Sequence, residues 1–205
     1  MSASDSSGLD ETLIDPDPIN QFQLWFADAV AANVKLPEAM TLATASPDGR
    51  PTARMVLLKQ VDQDGFVFFT NYRSTKARQL DVNPYAALVF YWPVLDRQVR
   101  IEGSVTRVSA EESSEYFQTR PRESQIGAWA SEQSDVITSR EVLEQRAKDL
   151  ESLYFDREID RPEHWGGYRL TPERIEFWTS RIGRLHDRIL YQRDGDAWLI
   201  SRLAP

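Results

Sequence analysis

The stretch MTLATASPDGRPTARMVLLKQVDQDGFVFFT, residues 40–70, decides the fold class. It holds three short runs of strand character, MTLATA (40–45), TARMVLLKQ (52–60) and FVFFT (66–70). The spacers SPDGR and VDQDG each contain Asp-Gly, a pair that tolerates the positive φ angles of a tight hairpin. Together they predict an antiparallel meander.

The same reading extends in both directions. Upstream, Asp17 can cap a helix and Pro18 suits its first position, while Ile19, Phe22, Trp25, Phe26, Ala29 and Val30 recur at helical spacing. Downstream, Ser74 caps a short helix over STKARQLDV that Asn83-Pro84 closes, and the strands YAALVFYW (85–92) and RQVRIEGSVTRV (97–108) follow. Ser109 with Glu112 and Thr138 with Glu141 fit the capping-box spacing and predict helices over 110–118 and 139–154. Arg120-Pro121 breaks the helical stretch between them. Strands then return as WGGYRL, RIEFW, RLHDRILYQ and AWLISRL, with Asp194-Gly195 turning between the last two. Six to eight mostly antiparallel strands with inserted helices give a mainly β fold, a barrel-like core with peripheral α-helices.

Composition narrows the function. A chain of 205 residues, 41% hydrophobic with six Trp, supports one compact domain. The expected division is a flexible polar tail over 1–14 and a single domain over 15–205. No run approaches the ~20 apolar residues that cross a bilayer, and MSASDSSGLDE lacks the basic start and apolar run of a signal peptide. The expectation is a cytoplasmic protein with no membrane partner. Cysteine is absent and His164 and His186 lie far apart, so no metal site is expected. A net charge of -8 argues against nucleic acid as a partner. A local cluster of basic residues then asks for a small anion.

Three stretches supply such clusters. In RLHDR, Arg184, His186 and Arg188 share one face if the segment is an extended strand. A solvated face is the usual meaning of an isolated pattern of this kind. Here it lies among apolar strands, where like charges repel unless an anion or carboxylate offsets them. In YFQTRPRES, Tyr116, Arg120 and Ser124 are four apart and collect a phenol, a guanidinium and a hydroxyl near a helix start, which suits phosphate. Ordinary capping chemistry reads that segment equally well. In ARMVLLK, Arg54 and Lys59 fall on opposite faces of a regular strand, so serving one ligand requires either a bend in the strand or a ligand that wraps its end. Lys76 and Gln98 stand nearby in STKARQ and RQV.

These segments closely resemble, in order and spacing, the pyridoxine (pyridoxamine) 5'-phosphate oxidases, which use flavin mononucleotide (FMN). The signature runs are RMVLLK (54–59), FFTNYRSTKA (68–77), RQVRIEG (97–103), YFQTRPRESQIGAWAS (116–131), EQS (132–134), WGGYRL (165–170), IEFW (175–178), RLHDR (184–188) and RLAP (202–205). The resemblance implies an FMN-binding split β-barrel of antiparallel strands, assembled as a homodimer with FMN at the interface. It places Arg54, Lys59, Phe69, Thr70, Lys76, Gln98, Gln133, Ser134, Trp178 and Arg188 where the family contacts the flavin nucleotide. Lys59, Tyr116, Arg120 and Ser124 fall where it holds the substrate phosphate, and Arg184 and His186, the catalytic pair, fall beside the substrate's pyridine ring. Thr75 departs from the pattern, standing where many members carry a second basic residue.

The implied reaction is oxidation of phosphorylated B6 vitamers to pyridoxal 5'-phosphate, with O2 as acceptor. Two rivals remain: a flavin or deazaflavin reductase on the same scaffold, and a protein that binds flavin or pyridoxal 5'-phosphate without turnover. YFQTRPRES together with RLHDR favours the oxidase over the first. Peroxide production separates it from the second.

Overall fold

The computed structural model of the chain describes residues 8–205; residues 1–7 of the expected tail lie outside them. Its helices are α1 (Pro18–Ala31), α2 (Thr75–Val82), α3 (Ala110–Thr119), α4 (Arg122–Ala130) and α5 (Arg140–Leu153). Its strands are β1 (Ala39–Ala45), β2 (Pro51–Leu57), β3 (Gln60–Asp62), β4 (Gly65–Asn71), β5 (Tyr85–Trp92), β6 (Arg97–Arg107), β7 (Trp165–Thr179), β8 (Asp187–Asp194) and β9 (Ala197–Arg202).

Local chemistry starts α1 where the sequence indicates. Asp17 Oδ1 accepts from the Ile19 N–H at 2.8 Å, and Pro18 occupies a position that needs no donor. Ile19, Phe22, Trp25 and Ala29 are buried. Val30, expected on the same stripe, is 53% exposed, because it lies about 140° round the helix from Trp25. Phe22 meets Phe66 at 4.9 Å and Phe90 at 5.0 Å, and Trp25 meets Phe177 at 5.1 Å. These rings pin α1 across β4, β5 and β7, each burial contributing about 1.5–3 kcal/mol.

The strands are antiparallel, in the order β2-β1-β5-β6-β7-β4-β3, with β8 and β9 added on β7. The sheet curls into a half-barrel. The expected meander therefore holds only for β1 with β2 and β3 with β4, because β4 pairs with β7 and not with β2. One step of chain makes the change. The Leu58 N–H donates to Glu38 O at 2.9 Å, continuing the β1–β2 ladder, and the next N–H, of Lys59, donates to Val67 O at 2.8 Å, opening the β3–β4 ladder. The chain thus passes from one edge of the sheet to the other.

WGGYRL and RIEFW, expected as separate strands, are one strand of 15 residues. Pro172 sits inside it, opposite Gly103 at an irregularity in the β6–β7 register, the kind of site where a strand tolerates proline. This length lets one edge of β7 serve two partners, β4 through 165–170 and β8 through 174–179.

Other boundaries moved by small steps. Ser109 Oγ accepts from the Glu112 N–H as the capping box requires. The second box does not form: Ser139, not Thr138, precedes α5, and its hydroxyl helps hold the Glu141 carboxyl below its usual range. At the N-terminus, contacts begin before residue 15. Leu9 and Ile14 pack against the core, and Arg202 donates to Leu9 O and to both Glu11 oxygens.

Candidate active site

Between β2, β4, the start of α2 and the α3–α4 junction lies a cleft of about 950 Å³. Among the described residues its wall holds Arg54, Lys59, Lys76 and Arg120 and no Asp or Glu. In a chain with 32 acidic against 24 basic residues, that is a marked local reversal. The turn at Leu58 explains how Arg54 and Lys59 reach one cleft, since regular strand ends at Leu57.

The first group of polar residues gathers at α2. Ser74 caps the helix and Lys76 follows in its first turn, buried. Lys76 Nζ donates to Thr70 Oγ1 at 3.0 Å, Ser74 Oγ at 3.2 Å and Gln133 Oε1 at 3.4 Å, all neutral. Burial, then the charge of Arg54, bring its ammonium down to about 8. Gln133 Oε1 also accepts from Thr70 Oγ1, and Ser134 Oγ accepts from the Thr75 N–H. Arg54 donates to Leu42 O, Thr44 Oγ1 and Thr52 Oγ1, and burial lowers its pKa too. Two cations held by neutral acceptors form a setting that an anion would stabilise.

The second group lies at the helix break. Arg120 closes α3 in an extended conformation before Pro121. Its guanidinium lies 4.5 Å over the Trp165 ring, and its NH1 is buried without a hydrogen-bond partner. Tyr116 and Ser124 line the cleft beside it. Beneath runs a slab of near-parallel rings: Phe69 lies 4.1 Å from Tyr116 and 5.4 Å from Trp165. Gly167 makes room for that slab, since a Cβ there would stand 2.8 Å from Phe69 Cε1.

Gln98, Trp178, Arg184, His186 and Arg188 do not line this cleft. Gln98, Trp178 and Arg188 form one row across β6, β7 and β8, paired by register. The His186 ring lies 4.7 Å from that of Trp178. The expected common strand face of RLHDR is not formed. Strand β8 begins only at Asp187, and Arg184 ends a short 3-10 turn at φ 63°. The turn is fastened by Asp187, which accepts from Arg181 and Arg202. Arg188 is offset by a carboxylate, Glu176, at 2.8 Å.

Sequence reasoning assigned no role to Trp165, Asn71 or Glu176. Trp165 and Glu176 stand in motifs already quoted, but nothing local shows that they meet Arg120 and Arg188. Asn71 is buried and donates to Ser131 O, fixing the loop that carries Gln133.

A curled antiparallel sheet of this form defines the class, the split β-barrel proteins. A structure of an FMN-binding protein from Nostoc punctiforme superposes with a TM-score of 0.72 over 90% of this chain and 97% of that one, at 21% identity. The chain belongs to the pyridoxine/pyridoxamine 5'-phosphate oxidase family. Residues 26–154 match the family described as pyridoxamine 5'-phosphate oxidase, and residues 165–205 match its C-terminal dimerisation region. A pyridoxine/pyridoxamine 5'-phosphate oxidase of Cyanothece sp. is 59% identical over 96% of this chain and 92% of its own length. One of Rubrobacter xylanophilus is 57% identical over 97% and 92%. PhzG of Burkholderia lata, solved with tetrahydrophenazine-1-carboxylic acid, gives a TM-score of 0.91 at 33% identity, covering 97% of this chain and 98% of that one. FMN is the cofactor, and the cations around Lys76, held only by neutral groups, fit its phosphate.

Proposed function

We propose that this protein oxidises pyridoxine 5'-phosphate and pyridoxamine 5'-phosphate to pyridoxal 5'-phosphate, with O2 consumed and H2O2 released, and NH3 released from the amine. The observation that carries this reading is a cleft with two cationic groups and, among the described residues, no acid. One group, Arg54 and Lys76 with Thr70, Gln133 and Ser134, suits the flavin phosphate. The other, Lys59 and Arg120 with Tyr116 and Ser124, suits the phosphate of the substrate. The unpartnered Arg120 NH1 is the donor such a substrate would satisfy.

FMN, when bound, would supply the redox chemistry, acceptance of a hydride equivalent from the C4' carbon with O2 as the final acceptor. The chain supplies position and charge. Arg184 holds the pyridine ring and His186 hydrogen-bonds near its reacting edge. His186 Nδ1 accepts from the Arg181 N–H at 3.1 Å, so the neutral ring carries its proton on Nε2. It faces the substrate as a donor.

Gln98, Trp178, Arg184, His186 and Arg188 complete the site from the second subunit of a homodimer, with FMN between the two. Their position outside their own cleft supports this, as does the match of 165–205 to a dimerisation region. Cytoplasmic placement belongs to the same reading, and among the described residues no helix is long and apolar enough to cross a membrane.

The test is an aerobic assay of FMN-loaded protein with each vitamer, following pyridoxal 5'-phosphate and peroxide together. Equal formation of both is expected. Bound flavin with no product from either vitamer would refute the oxidase reading and leave a flavin-binding protein. Tetrahydrophenazine-1-carboxylic acid, which lacks a phosphate, is the informative comparison substrate; faster turnover of it would show that the Arg120 group does not select phosphate.

A further inference from the structure

On the face of the sheet that carries Gln98, Trp178 and Arg188, the next row along is Arg100, Glu176 and Leu190. Glu176 is 7% exposed, the one buried carboxylate among the described residues. Its Oε1 accepts from Arg188 Nε at 2.8 Å, and its Oε2 accepts from Arg188 NH2 at 3.1 Å and from Arg100 NH1 at 3.2 Å. Arg188 NH1 donates to Ala204 O at 2.9 Å. Arg100 is itself shared, since its NH2 donates to Glu102 Oε1 at 3.0 Å.

A guanidinium has five N–H donors, and these contacts occupy three of them. The fork that would grip a phosphate is already closed on a carboxylate. What Arg188 still offers is one N–H on each terminal nitrogen and a charge largely offset by Glu176. Beside an indole and an amide, that suits the polar edge of a flat heteroaromatic ring better than a phosphate. The cleft cations around Lys76, by contrast, have no carboxylate partner among the described residues.

We propose that Glu176 is a positioning residue for the flavin. Its clamp aims Arg188 at the isoalloxazine and limits the positive charge that ring experiences, and Arg100 sets how much of the Glu176 charge reaches Arg188. This rests on the reading that Arg188 faces the flavin. A positive charge near the ring favours its reduced, electron-rich form, so loosening the clamp moves the reduction equilibrium in a known direction.

The experiment is reductive titration of the FMN-loaded protein against a dye of known potential, for native protein, Glu176→Gln, Arg100→Gln and Arg188→Gln. Glu176→Gln shifts the equilibrium toward reduced flavin by about tenfold, about 30 mV for a two-electron couple. Arg100→Gln shifts it the opposite way, because Glu176 then serves Arg188 alone. Glu176→Gln at the native potential, or both variants shifting together, overturns the proposal. Should Glu176→Gln fail to fold, Arg100→Gln decides by its sign, at a side chain 42% exposed. Arg188→Gln separates the two levels. If flavin affinity, spectrum and potential are all unchanged in it, Arg188 does not face the flavin and both readings fall. If it responds while Glu176→Gln does not, only the clamp is refuted.

Discussion

Replacing Arg120 by Met removes the guanidinium and keeps a flexible chain over Trp165. In the ligand-free protein the change has two opposing effects. A buried donor without a partner is a liability of about 1–3 kcal/mol, and the variant sheds it. It also loses the stacking on Trp165, worth about 0.5–2 kcal/mol. These nearly cancel, so the melting midpoint stays within about 3 °C of native. Substrate binding has no such compensation. Truncating one partner of a buried, hydrogen-bonded charge pair costs about 2–5 kcal/mol. That raises the KM for pyridoxine 5'-phosphate by about 30-fold to several thousand-fold. FMN affinity is expected to be unchanged, because the group proposed for the flavin phosphate, on β2, β4, α2 and the loop of Gln133 and Ser134, does not include Arg120. The assay is initial rate against vitamer concentration, with flavin binding and melting measured on the same samples. Inorganic phosphate inhibits the native enzyme competitively and loses potency in the variant. A KM within about threefold of native, in a variant that melts normally, would refute the assignment of Arg120 to the substrate phosphate.

Four further outcomes follow from the geometry. Because the Lys76 amine loses its proton near 8 in the ligand-free protein, FMN binding above that pH takes up a proton, and Kd rises about tenfold per pH unit; Lys76→Arg removes the dependence, and a flat native profile would exclude Lys76 from the phosphate site. The same depressed pKa leaves the folded chain with fewer protons than the unfolded one between about 8 and 10.5, so this group's contribution to stability is unfavourable below that window and improves as pH rises through it. Gly167→Ala drives a Cβ into Val108 and the Phe69 ring, costs about 1–3 kcal/mol and weakens flavin binding; an unchanged thermal melt would show that the ring slab has room to yield. Mixing Arg120→Met with Arg184→Ala subunits after dissociation and reassembly restores about a quarter of native activity if each site draws on both chains, and none if each is built from one.

Much of the fold was legible in short segments, because short-range chemistry decides them. Asp17-Pro18 starts α1 through a side chain two residues from its target N–H. Arg120-Pro121 ends α3 because proline forbids helical geometry in the residue before it. The boundaries that moved depended on partners elsewhere. Pro172 separated two apparent strands in the sequence, and only the matching irregularity opposite Gly103 in β6 makes them one. RLHDR reads as a strand by alternation, but the Asp187 ion pairs with Arg181 and Arg202 hold Arg184 in a turn.

The site divides in the same way. The resemblance of its motifs, in order and spacing, to a known family supplied the family, its cofactor and the candidate residues, while residue chemistry alone reached no further than basic clusters suited to a small anion. How the candidates separate into a cleft group and a sheet-face group was not in the sequence. Arg54 and Lys59 share a cleft because the chain changes ladders between Leu58 and Lys59. Gln98, Trp178 and Arg188 share a row because three distant strands pair in one register. Linear order determined which chemical groups the protein owns; long-range strand pairing, whose partners lie up to about a hundred residues apart, decided which of them stand together.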